Sequence, residues 1–149
     1  MTAASRRVAG ILLIIMPTVV LGGASVLTLL VNDPAYADNA LRQDLWRAGH
    51  AHGGVLLVLS LIALRYVDDA ALAETTRWFV RFAFPTAAVM LPLAFFLSVL
   101  NPDATGPNAL VNLAYLGAVL LVAAMITLGV GLIRARAAVT SADGVAARG

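Results

Sequence analysis

The sequence predicts an all-α integral membrane protein, an up-down bundle of four helices with both termini in the cytoplasm. Three observations lead there. Hydrophobic residues fill 61% of the 149 positions and charged residues only 12%, against roughly 45–50% and 25% in an average soluble domain. The apolar residues gather into four runs, each near or above the roughly 20 residues that a helix needs to cross a bilayer core. The connectors between runs are short, which makes helices adjacent in sequence antiparallel neighbours in space. The predicted helices span 8–31, 39–66, 77–100 and 108–134 of a single transmembrane domain.

Orientation follows from the basic residues, all of which are arginine. Arg6, Arg7, Arg65, Arg77, Arg81, Arg134, Arg136 and Arg148 fall on one side of such a bundle, and only Arg42 and Arg47 on the other. Cytoplasmic loops carry the excess of arginine, so the larger group faces inward and the protein is expected in the cell inner (plasma) membrane as a multi-pass chain. Tyr66 and Trp78 then mark the inner interface, and Tyr36 and Trp46 the outer one. The expected partner is the lipid bilayer. A net charge of +2 without a basic run argues against nucleic acid. The absence of cysteine excludes disulfides, iron–sulfur clusters and thiolate chemistry.

The first helix contains Pro17, Gly22, Gly23, Ser25 and Thr28, small or helix-bending residues that allow close helix contact in lipid. Its Ser5-Arg6-Arg7 start and the later Ala35-Tyr36-Ala37 imitate a cleaved secretion signal. A signal core has only about 7–15 apolar residues, so this longer run reads as a permanent anchor. The connector Asn32-Asp33-Pro34-Ala35-Tyr36-Ala37-Asp38 is rich in turn formers, and Asp38 is a natural N-cap for a helix beginning at Asn39. Leu41, Leu45, Ala48 and His52 recur at helical spacing, so this second helix starts above the membrane and enters it near Trp46.

In the third helix Pro85 and Pro92 fall on one face, where each invites a kink. Ser98 and Asn101 lie at its outer end, and Asn108, Asn112 and Tyr115 follow on one face of the fourth helix. Polar groups thus gather in the outer half, while the inner half reads as almost wholly apolar with Met90 and Met125 as fillers. No span carries a row of carboxylates or arginines, as a proton pump or voltage sensor would, and no internal repeat points to an inverted-repeat transporter. The small, polar tail 135–149 is expected to be disordered.

Chemistry concentrates in Trp46-Arg47-Ala48-Gly49-His50-Ala51-His52-Gly53-Gly54, which holds both histidines of the chain. At i and i+2 they point about 200° apart on a helix, so they cannot clamp one ion, for which i and i+4 spacing is used. A single histidine holding a flat cofactor fits better. With His50 as the metal ligand, Gly53 and Gly54 at i+3 and i+4 bare the helix surface where a ring would lie, and histidine is the proximal ligand of many haem irons. The plainer reading is that the glycines let helices touch and the histidines bond across the bundle.

The four short-looped helices resemble the membrane styrene oxide isomerases and hydroxylaminobenzene mutases. The likeness rests on Arg47-Ala48-Gly49-His50-Ala51-His52-Gly53-Gly54 opening the second helix, and on Asn101-Pro102 through Gly106-Pro107-Asn108 joining the third to the fourth. It implies a haem b held by His50, with His52 the next candidate, and Arg47, Gly53 and Gly54 around the cofactor. The ferric haem would act as a Lewis acid on the oxygen of a small apolar epoxide or hydroxylamine, in an isomerisation without net redox change. Two family positions differ here: an asparagine is replaced by Leu56 and a tyrosine by Phe95. Neither substitute can hydrogen-bond a substrate oxygen, and Asn112 and Tyr115 are the catalytic candidates left to replace them. Two other readings remain open: a non-catalytic membrane interaction or assembly subunit, and a cytochrome b-like electron carrier. The apolar exterior and small residues favour a homo-oligomer in each case.

Overall fold

The computed structural model describes the backbone of residues 1–146 and the side chains of residues 1–135. Among these the chain is all helical: α1 (Ala3–Asn32), a short α2 (Pro34–Ala37), α3 (Ala40–Tyr66), α4 (Glu74–Ser98), a 3₁₀ turn (Ala109–Val111) and α5 (Asn112–Ala146). Four helices, namely α1, α3, α4 and the stretch Ala109–Ala135, are long and apolar enough to cross a membrane.

Local chemistry fixes the helix ends. Thr2 caps α1 by accepting from Ser5 N. Asp33 caps α2 by accepting from Ala35 N and Tyr36 N, with Pro34 opening that helix, where its missing N–H costs nothing. The N-cap of α3 is Asn39 rather than Asp38: its Oδ1 accepts from Arg42 N at 3.1 Å. Asp38 instead ends α2, a turn that the run of turn formers concealed. Asn39 Nδ2 also donates to Pro102 O and Ala104 O, tying the start of α3 to the turn after α4. Backbone of α5 stays helical past position 134, through a stretch that opens on the strong helix formers Ala135, Arg136, Ala137 and Ala138. The tail's last residues, 147–149, lie outside the described residues.

The long helices run antiparallel and line up in chain order, α1 on α3, α3 on α4, α4 on α5. Among the described residues α1 and α5 do not touch, so the bundle is an open row with two flanks. Small residues let the inner pairs approach closely. Ala63, Ala83, Ala87, Ala88, Ala94 and Ala124 are all buried, which is how helices gain contact in lipid, where burial itself offers no drive. Leu12, Leu56, Leu57, Leu64 and Leu91 join α1, α3 and α4, while Val67, Val80, Phe84 and Leu128 join α3, α4 and α5. In α1 only Ser5 and Leu12 are buried, and its Ile14, Val20, Leu21 and Val31 face outward.

The end of the bundle near the α3–α4 connector is not the apolar half that the sequence suggests. Arg81 is almost fully buried there and reaches three partners: Asp68 Oδ1 at 2.9 Å, Glu74 Oε1 at 2.7 Å and Ser5 Oγ at 3.1 Å. Asp68 in turn accepts from Ser5 Oγ, Thr2 Oγ1 and Thr2 N, the last at 2.6 Å. Burial pushes its carboxyl up more strongly than any other single influence, yet the donors from Thr2, Arg81 and Ser5 together hold it at about 2. The start of α1 is thereby latched to the α3–α4 connector.

Candidate functional site

His50 and His52 leave α3 toward different neighbours, as their spacing requires. His50 faces α1, where its ring fills a notch at Gly22-Gly23. A Cβ on Gly23 would lie 2.9 Å from both Cε1 and Nε2 of the ring, and one on Gly22 would lie 3.9 Å from Nδ1. Only glycine leaves room for the imidazole at Gly23. The half-buried ring makes no hydrogen bond among the described residues and packs against α1.

Beside His50 lies a cavity of about 250 Å³ between α1, α3 and α4, lined by Thr18, Gly22, His50, Gly53, Pro92 and Phe96 among others. A shallower cleft of about 410 Å³ on its other side takes in Val19, Gly54 and Val58. Gly53 and Gly54 therefore flank His50, one on each space, but each also serves helix contact. Gly53 meets Pro92 of α4 and Gly54 meets Val19 of α1. Gly49, one residue before His50, lets Phe95 and Phe96 approach in the same way.

His52 turns toward α4. Its Nδ1 lies 2.7 Å from Ala48 O, and the Phe95 ring flanks it with centroids 5.2 Å apart. A carbonyl oxygen only accepts, so Nδ1 carries the proton and donates it. Nε2 has no partner among the described residues, on a side chain that is exposed. Among the described residues no group of three or more His, Cys, Asp or Glu could hold a bare metal ion.

The other expected site residues stand apart from the histidines. Arg47 is exposed and pairs along its own helix with Gln43 Oε1 and, at 3.9 Å, with Asp44. Asn112 and Tyr115 are exposed on α5, without hydrogen-bond partners from their side chains among the described residues. α5 packs on α4 and scarcely meets α3, so it does not reach the cavity beside His50. Ser98, Asn101 and Asn108 close turns: Ser98 Oγ donates to Phe95 O, Asn101 Oδ1 accepts from Asp103 N, and Asn108 caps Leu110 N while donating to Leu97 O.

Two clusters went unread in the sequence. One is the Arg81 network. The other is an aromatic box around Arg42, whose guanidinium carbon lies 4.8 Å from the Trp46 ring centre and 5.7 Å from that of Tyr36. Trp46 Nε1 donates to Phe96 O and Arg42 Nε to Val99 O, so the box joins α2, α3 and the end of α4. Burial pushes the Tyr36 phenol up, against the opposing pull of Arg47 and Arg42. Helical spacing of Arg42 and Trp46, i and i+4, was the available signal for half of it.

Compared with protein-family models, with curated proteins and with solved structures, the chain finds no match.

Proposed function

We propose that this multi-pass chain of the plasma membrane binds haem b through His52 and acts as a redox-neutral isomerase of a small epoxide or hydroxylamine. The observation that carries the haem reading is the 2.7 Å bond from His52 Nδ1–H to Ala48 O. It fixes the tautomer and ring orientation and leaves Nε2 free, the arrangement in which histidines ligate metals. His50 fits less well, because a Cβ added at Gly23 would lie 2.9 Å from its Nε2, so α1 stands close to where iron would have to sit.

The cavity of about 250 Å³ is smaller than the roughly 300–1,000 Å³ of sites that enclose drug-sized ligands. A macrocycle therefore lies outside it, against the exposed side of α3 where His52 stands. A second copy of the chain would cover that side, in keeping with a homo-oligomer. When bound, ferric haem supplies a Lewis-acidic coordination position for a substrate oxygen. The chain's own contribution is to hold the imidazole in one tautomer, to flank it with Phe95 and to keep water away with apolar side chains. Leu56 and Phe95 bring no hydrogen bond to a substrate, so shape orients it.

The test is the absorption spectrum of detergent-purified protein, oxidised and dithionite-reduced, beside the His50→Ala and His52→Ala variants. A Soret band lost with His52→Ala and kept with His50→Ala is expected, followed by turnover of an epoxide without added reductant. A colourless protein after expression with ample haem refutes the reading. The reverse pattern assigns the ligand to His50. A non-catalytic assembly subunit is favoured by one observation, the use of His50 as a packing element against Gly22-Gly23, and a colourless protein would select it.

A further inference from the structure

Arg42 is a buried cation without a counter-ion among the described residues. Its side chain is 5% exposed, yet the ion pairs among the described residues involve Arg47, Arg65, Arg77 and Arg81 and never Arg42. The neighbouring Asp44 is turned to Arg47. The comparison with Arg81 is direct: that guanidinium, equally buried, is matched by two carboxylates and a hydroxyl.

A guanidinium carries five N–H donors in one plane. Arg42 uses one, from Nε to Val99 O at 3.2 Å, where it caps the end of α4. The Tyr36 and Trp46 rings lie against the group but accept no in-plane donor. The four N–H groups on Nη1 and Nη2 meet no acceptor among the described residues. They are not sealed, since the fully enclosed unpaired atoms are Tyr36 Oη and Arg77 Nε. The first of these orphans stands in the same box.

The position sharpens the imbalance. Arg42 lies in the first turn of α3, three residues after its N-cap Asn39, where the helix dipole disfavours a cation. An unpaired charge withdrawn from water is costly, and neither a carbonyl nor a π face supplies a negative charge. A planar fork with two free donor nitrogens matches two oxygens of one oxyanion.

We propose that Arg42 seats the phosphate of an anionic phospholipid, with Nη1 and Nη2 donating to two phosphate oxygens at the open edge of the box, while Tyr36 and Trp46 hold the guanidinium in place. The box stands at the ends of α3 and α4, both long and apolar enough to cross a membrane. That is headgroup depth, where tyrosine and tryptophan concentrate. Free phosphate offers the same oxygens without the chains, so the source has to be separated by experiment.

The experiment uses the full chain in an uncharged detergent and measures unfolding temperature and retained adducts by native mass spectrometry. Three additions are compared: phosphatidylglycerol, diacylglycerol with the same acyl chains, and inorganic phosphate. Phosphatidylglycerol is expected to raise the unfolding temperature and persist as an adduct, and diacylglycerol to do neither. Arg42→Gln should weaken that binding at least tenfold, whereas Arg65→Gln, at an exposed arginine at the other end of α3, should leave it within twofold. Equal effects of inorganic phosphate and the lipid overturn the lipid and assign the site to the free ion. Lipid binding that survives Arg42→Gln overturns the site. If Arg42→Gln does not fold, Arg42→Lys keeps the charge without the fork and should bind more weakly. The wild-type comparison stands without any variant: phosphatidylglycerol held no better than diacylglycerol refutes the proposal.

Discussion

Removing either half of the Asp68–Arg81 pair should destabilise the protein far more than removing both. Arg81 is 1% exposed and Asp68 7% at the side chain, and they meet at 2.9 Å. Breaking a buried ion pair from one side costs about 3–5 kcal/mol, because the remaining charge is left in a poorly solvated site. Arg81→Met leaves the Asp68 carboxylate with Thr2 and Ser5 alone. Asp68→Asn leaves Arg81 with the Ser5 hydroxyl and with one carboxylate, Glu74, which is 60% exposed and therefore a screened partner. The double variant strands no charge, so its cost should fall below the sum by at least ~1.5 kcal/mol. Titration with dodecyl sulfate in mixed micelles, followed by far-ultraviolet circular dichroism, gives the three differences. Costs that add within ~0.5 kcal/mol would refute the coupling. A pH series checks it independently. The Asp68 carboxyl is held at about 2 against an ordinary 3.8, so its contribution is complete above 3.8 and is lost as pH falls through about 2. At 1.36 kcal/mol per unit and with screening at this end of the bundle, the loss amounts to ~1–2 kcal/mol. Asp68→Asn should abolish that acid step.

Further outcomes follow from single contacts. Gly23→Ala puts a methyl 2.9 Å from the His50 ring, which can swing only partly clear, so about 1 kcal/mol should be lost in the same titration. The loss should vanish when His50→Ala accompanies it. Asn39→Ala removes the α3 cap and two bonds to the 101–108 turn; about 1–2 kcal/mol of destabilisation and faster amide exchange in that turn are expected. Asn112→Ala and Tyr115→Phe alter exposed side chains without partners among the described residues and should stay within ~0.5 kcal/mol of wild type. Any change they cause in a Soret band would bring α5 into the cofactor site through a second copy of the chain.

The four apolar helices were legible because lipid-length hydrophobic runs need no partner to be recognised, and the short connectors dictated antiparallel neighbours. Their order in an open row was not, since nothing in the runs Val8–Val31 or Ala109–Ile133 says whether those two helices meet. The i, i+2 spacing of the histidines fixed that they diverge, but what each ring meets depended on Gly23, 27 positions before His50 in the chain, and on the Ala48 carbonyl. Arg81 read as one more interfacial arginine because its partners Ser5 and Asp68 are separated from it by 76 and 13 positions. Glu74 at i−7 was the local hint. The Asn112–Tyr115 face was periodic and polar, which periodicity alone cannot distinguish from a helix face that meets only lipid headgroups and water.

The ionic latch and the histidine notch act on the same helix. Between Thr2 and Ser5 at one end and Gly22-Gly23 further along, Leu12 is the sole buried apolar side chain of α1. Val8, Ala9, Met16 and Val19 pack partly buried beside Leu12, but most of α1 faces outward and it is the least buried of the four long helices, so it has the least to lose on opening, since local stability follows buried contact. Weakening Asp68–Arg81 removes one of its anchors and should loosen the cavity wall that Thr18 and Gly22 form beside His50. The two histidines differ in this respect, for His52 is held by its own helix through Ala48 and keeps its orientation wherever α1 stands. That independence is why the proposed haem ligation falls to His52, while His50 packs against Gly22-Gly23 of α1.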